Sequence, residues 1–83
     1  MSALAKAIGT LGGPTKVAAI LGVTAQAVCF WRDGLRQFPA DHCPIVERET
    51  RAKAAEVADP SLVVTCEELR PDVAWAVLRE QAV

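Results

Sequence analysis

The stretch Pro14-Thr15-Lys16-Val17-Ala18-Ala19-Ile20-Leu21-Gly22-Val23-Thr24-Ala25-Gln26-Ala27-Val28-Cys29-Phe30-Trp31-Arg32-Asp33-Gly34 decides how this chain folds. Two short segments with apolar residues at helical spacing flank a tight turn at Gly22. That is the pattern of a helix-turn-helix, whose second helix can enter the DNA major groove. Ala18 has almost no side chain, so the two helices can cross closely there. Gly22 suits the left-handed conformation that a sharp stop needs. Val23 is expected to pack inward, and Thr24 to cap the next helix through its hydroxyl. Val28 and Trp31 lie three apart and share a buried face. Thr24, Ala25, Gln26, Cys29, Phe30 and Asp33 fall on the other side. An ordinary helical hairpin has each of these features singly. Their joint spacing favours the helix-turn-helix.

Outward from that stretch, Ser2 to Leu11 reads as a first helix with Ser2 as N-cap and Leu4, Ile8 and Leu11 as its apolar stripe. Gly12-Gly13-Pro14 is a strong break. The second helix runs to Leu21, with Val17, Ala18, Ile20 and Leu21 as apolar positions. Thr15 and Lys16 at its start are candidate phosphate contacts, through hydroxyl, ammonium and free backbone N–H groups. The third helix spans Ala25 to about Asp33. Gln26 can pair with adenine N6 and N7, and Ala25 and Phe30 can touch a thymine methyl. Arg32 and Arg36, at the helix end and in the following loop, are candidate phosphate clamps. Their competing role is compensation of the helix dipole on a solvated surface.

Gln37-Phe38-Pro39 reads as a loop and Ala40 to Ala58 as a fourth helix, its start set near Cys43 or distorted by Pro44. Glu47, Arg48, Glu49, Arg51, Lys53 and Glu56 read as a solvated face with local ion pairs. Asp59-Pro60 stops it, and Leu62-Val63-Val64 is an apolar connector. Thr65-Cys66-Glu67-Glu68 matches a capping box that starts a short fifth helix, to about Leu69. Residues 73–83 fit a helix or a strand. Trp75 can fold back onto the core or sit between protomers. Folding back is favoured for the ring, and a partner contact for the last residues. Trp75, Val77 and Leu78 are the candidate oligomerisation residues.

The chain has 83 residues, which is one small all-α domain whose modest core makes oligomerisation a useful aid. Hydrophobic residues make up 52%, which argues against disorder. No apolar run is long enough to span a bilayer and the start lacks a signal-peptide pattern, so a cytoplasmic location is expected. Cys29, Cys43 and Cys66 are odd in number and fit reduced thiols. With His42 they match no usual zinc spacing, so no metal or other cofactor is expected. One histidine and no phosphate loop leave no convincing catalytic set, so an enzyme is not expected.

Net charge is −1, awkward for a DNA binder. It divides unevenly. Residues 1–40 carry four basic groups and one acidic, net +3, while residues 41–83 carry five basic and nine acidic, net −4. The first half is the expected DNA-binding half, the second an acidic helical and oligomerisation half. So few cations favour a homodimer or higher homo-oligomer on DNA.

Leu21-Gly22-Val23-Thr24, Val28 and Trp31, Pro39-Ala40-Asp41, Cys43-Pro44, Glu47-Arg48, and Val64-Thr65-Cys66-Glu67-Glu68-Leu69-Arg70-Pro71-Asp72-Val73-Ala74-Trp75 together resemble the YdaS-like, Cro-type regulators of bacterial prophages. The resemblance covers residues 3 to about 78, and Cys66 to Asp72 is its most specific part. It implies the lambda-repressor-like helical fold, about five helices with a short tail, and repression of a prophage promoter. By position in the motif, Thr24, Ala25, Gln26, Cys29 and Phe30 would face the groove. Relatives have also been described as antitoxins, which implies a second function: binding a toxin protein and repressing the chain's own promoter. The segment from Arg51 to Leu62 departs from many relatives, which pass through a Gly-Gly turn there.

Overall fold

Ser2 accepts a hydrogen bond from the Ala5 amide at 3.1 Å and starts α1, Ala3–Leu11. Leu4, Ala7 and Ile8 form its buried stripe. The computed structural model describes residues 2–81, the backbone alone over 79–81. Gly12, at φ +99, closes α1. A Cβ there would also lie 2.8 Å from Cδ of the flexible Lys16 side chain, which would have to shift. α2, Pro14–Leu21, has proline in its first turn, where the missing N–H costs nothing. α3, Ala25–Arg32, follows Gly22 at φ +71.

The second half begins with a single 3₁₀ turn, Ala40–His42, before α4, Cys43–Val57. Pro44 therefore sits at the start of α4 proper, and the expected fourth helix begins at Cys43. A second 3₁₀ turn, Pro60–Leu62, leads to α5, Cys66–Leu69, and α6, Trp75–Gln81. Among the described residues there are six α-helices and no strand, and the tail is helical over Trp75–Gln81. The partner contact expected of the last residues falls where side chains lie outside the described residues, from 79 onward.

α1 is central, with contacts to α2, α3, α4 and α5. The core combines Leu4, Ala7 and Ile8 with Val17, Ala18, Val28, Phe38, Cys43, Val46, Val64, Cys66 and Trp75. Two positions depart from expectation. Ile20, placed with the apolar face of α2, is exposed, because the helix turns its 17/18/21 edge to α1 and α3. Phe38, read only as loop, is buried.

The largest difference lies in α4. Its inward stripe is Cys43, Val46, Glu47, Thr50 and Ala54, two of them polar. Glu47 accepts from the Cys66 amide at 2.8 Å through Oε1 and from Arg51 at 3.2 Å through Oε2. Its carboxylate thus anchors the start of α5, rather than standing on a solvated face. Arg48–Glu49 and Lys53–Glu56 are the local ion pairs expected there.

The run from Thr65 to Trp75 is a chain of reciprocal ties. Thr65 and Glu68 form the expected capping box. Arg70 donates from Nη1 to the Phe38 carbonyl at 2.9 Å and from Nε and Nη2 to Asp72 at 2.9 and 2.7 Å. The Trp75 indole N–H then donates to the Arg70 carbonyl at 2.8 Å. Hydrogen bonds from Arg70 hold the Asp72 carboxyl down at about 2, below the usual carboxylate range. A depressed folded pKa stabilises above the unfolded value near 4 and is lost as pH falls toward 2. The thermal midpoint of Asp72→Asn should therefore lie slightly below that of the parent chain at pH 6, and the gap should close by about pH 2. The group is exposed, so the gap is small.

Candidate nucleic-acid interface

α2 and α3 turn through 112° at Gly22, within the range that defines a helix-turn-helix. The cause is local. The Gly22 and Val23 amides both donate to the Ala18 carbonyl, so the chain stops and reverses over one residue. Ala18 is buried at the crossing, and Val23 is half-buried against the core. Thr24 Oγ1 accepts from the Ala27 amide at 3.1 Å and caps α3. Val28 is fully buried and Trp31 half-buried, which sets the rotation of α3 about its axis.

With that rotation, Gln26, Cys29 and Phe30 fall on the outer face, spaced three and four apart. Gln26 is exposed, and Cys29 and Phe30 are half-buried. Thr24 is exposed at the tip with its hydroxyl engaged in the cap. Ala25, expected on the same face, packs instead against the core cluster. It lies on the same edge of α3 as buried Val28, which a methyl can enter without a polar cost.

The cations are arranged around this face unequally. Arg32 donates from Nε to Asp33 at 3.0 Å, and the carboxylate raises its pKa further. Arg36 lies over the Phe30 ring, 5.3 Å from guanidinium carbon to centroid. Thr15 is exposed at the start of α2, a helix with no side-chain cap at Gly13. Its first-turn amides have no intrahelical acceptor. Lys16 leans away from α3. Its stem crosses Gly12 and lines a cleft of about 200 Å³ with Glu49, Lys53 and Glu56 of α4.

The end of α3 is propped by contacts the sequence did not signal. Trp31 meets Phe38 edge to face at 5.2 Å, and His42 packs on both rings at 5.5 and 5.9 Å. His42 is half-buried in this aromatic group. A loop aromatic has no periodicity, so Phe38 left no pattern to detect.

The candidate oligomerisation residues separate. Trp75 is turned into its own core, as favoured. Val77 and Leu78 are exposed. Leu78 and Trp75 edge a cleft of about 440 Å³ with Pro44, Glu47, Arg48, Arg51 and Cys66, to which α1, α2 and α3 contribute nothing. Cys43 is buried and donates to the Pro39 carbonyl, and burial pushes its thiol up to about 11. Among the described residues no three His, Cys, Asp or Glu gather as metal ligands. No single helix among them is long and apolar enough to cross a membrane.

The family described as bacterial toxin YdaS matches residues 4–78, the helix-turn-helix and the 65–75 run alike. The chain belongs to the YdaS family. It is 42% identical over 77 residues to the Escherichia coli K12 protein named "Putative transcriptional regulator YdaS", covering 93% of this chain and 68% of that one. Its fold is similar to that of the Cro protein from a prophage element of Xylella fastidiosa strain Ann-1. The TM-score is 0.67 at 40% identity, over 88% of this chain and 95% of that chain. The all-helical, lambda-repressor-like architecture expected for this YdaS-family chain is thus shared with a solved Cro.

Proposed function

We propose that this YdaS-family chain is a DNA-binding transcription regulator of Cro type, which sets α3 in the major groove of an operator. The observation that carries the reading is the outer face of α3. Gln26 stands exposed there on a helix held at 112° to α2, with Arg32 and Arg36 at its far end. Gln26 reads an adenine, Cys29 and Phe30 present small or apolar surface to the groove, and Arg32 grips phosphate. The core packing of Ala25 and the cap at Thr24 make them the shoulders of this surface rather than its crest. Thr15 and the open first turn of α2 meet a neighbouring phosphate. Lys16 supports that contact only if its ammonium swings from the α4 cleft. Repression follows from excluding polymerase at an overlapping promoter.

Similarity to a regulator and to a Cro protein supports this reading. Replacement of Gln26 by alanine should relax preference at one base position. Replacement of Arg32 by alanine should weaken all duplexes alike and reduce the salt slope by about one per protomer. Titrations against the gene's own upstream DNA over a range of salt measure both. Equal loss on specific and random DNA for Gln26→Ala would remove it as a base reader.

A dimer places two such helices about 34 Å apart on a roughly palindromic site. The exposed Val77–Leu78 pair on α6 is the proposed contact with a second copy. Leu78→Asp should lower self-association in sedimentation experiments and weaken operator binding, with helicity unchanged. An unaltered assembly state would assign the dimer contact elsewhere.

A further inference from the structure

The two arginines beside α3 are held differently. Arg32 is tied to the Asp33 carboxylate. Arg36 belongs to the loop, yet the backbone brings it back over the helix. The Leu35 and Arg36 amides both donate to the Phe30 carbonyl, at 3.0 and 3.4 Å, and Gly34 makes the turn at φ +79. This doubled bond fixes the loop against the last turn of α3 and sets the Arg36 guanidinium over the ring of Phe30. Among the described residues Arg36 has that ring as its contact and no carboxylate.

We infer that Arg36 is a base-reading residue that takes a guanine edge in the major groove, with Phe30 as its positioning residue. The inference rests on the proposed entry of α3 into that groove. If the Phe30 face enters, the guanidinium lying over its ring enters with it. The ring attracts the cation and restrains a long side chain before binding, so less freedom is lost when hydrogen bonds form. The N–H donors on the rim of the guanidinium stay available. Guanine presents O6 and N7 as paired acceptors at the spacing of that fork. A phosphate accepts any cation, so the built-in ring support has its use in geometry rather than in charge.

The test is selection from a pool of randomised duplexes, with the parent chain, Arg36→Lys, Phe30→Leu and Arg32→Lys. The parent should enrich a site containing a guanine that Arg36→Lys discriminates about tenfold less well. The salt slope should not change, because the charge is kept. Phe30→Leu should flatten the same position in part, and Arg32→Lys should leave it intact. If Arg36→Lys retains every base preference, the inference is overturned while groove entry stands. If the parent enriches no sequence, groove entry itself fails.

Discussion

Replacement of Trp75 by alanine should lower stability by about 3 kcal/mol, with a fall in the thermal midpoint of roughly 12–24 °C. The ring is 8% exposed and packs in the same core as α1, α4 and α5, and its N–H satisfies the Arg70 carbonyl. A helix of seven residues such as α6 does not form alone in water. The Trp75 ring is therefore what holds α6 in place. Its removal lets α6 undock, which caps the cost toward the low end for a large aromatic. Trp75→Phe keeps most of the volume and loses the hydrogen bond, so it should cost only about 1 kcal/mol. Urea denaturation of the two variants separates packing from hydrogen bonding. Equal losses would mean that the bond to Arg70, not burial, seats the helix.

Thr50→Val should cost about 2 kcal/mol, more than Thr50→Ser, although valine has the closer shape. The Thr50 side chain is fully buried. Its Oγ1 accepts from the Val64 amide at 3.0 Å and lies 2.9 Å from the Val46 carbonyl, to which it donates. One hydroxyl thus fastens the connector after Pro60–Leu62 to the middle of α4. Valine leaves the Val64 amide buried without that acceptor. Serine keeps the bond and forfeits one methyl, worth about 0.8 kcal/mol. The order of the two variants in chemical denaturation decides between polar and steric control of this joint. A less stable serine variant would show that the methyl matters more.

Trp75 folds back onto its own core as its place in the sequence favoured, whereas the buried hydroxyl of Thr50 carries no sequence signal. Everything governed by local chemistry was legible: the stop at Gly22, the caps at Ser2, Thr24 and Thr65, the box closed by Glu68, and the start of α4 set by Pro44. Each depends on a few neighbouring residues. Glu47 and Thr50 were not legible, because their partners lie 19 and 14 residues away, at Cys66 and Val64 respectively. The positions 43, 46, 47, 50 and 54 do recur at helical spacing. A search for apolar residues alone passes over a stripe in which two members are polar. Phe38 and His42 escaped for a similar reason, since they pack through the tertiary fold with Trp31.

The outer face of α3 was legible in outline and less so in detail. Val28 and Trp31 fixed which side turns inward, so Gln26, Cys29 and Phe30 follow on the other. Ala25 is partly buried against the core, which the sequence did not signal, since an alanine suits a groove or a core equally well. The positions of the cations could not be read from their order along the chain. Lys16 leans to α4, Arg32 is engaged by its neighbour, and Arg36 returns over Phe30 because of a backbone turn that spans five residues.

The proposed function requires that outer face to meet duplex. Its most direct measurement is a map of backbone amide chemical shifts as the chain is titrated with DNA from upstream of its own gene. The expected result is a set of perturbations at residues 13–16 and 24–36 that weakens as salt rises, with α4 near Arg48 and Arg51 unaffected. Perturbations confined to α4, α5 and α6, or none at low ionic strength, would contradict it.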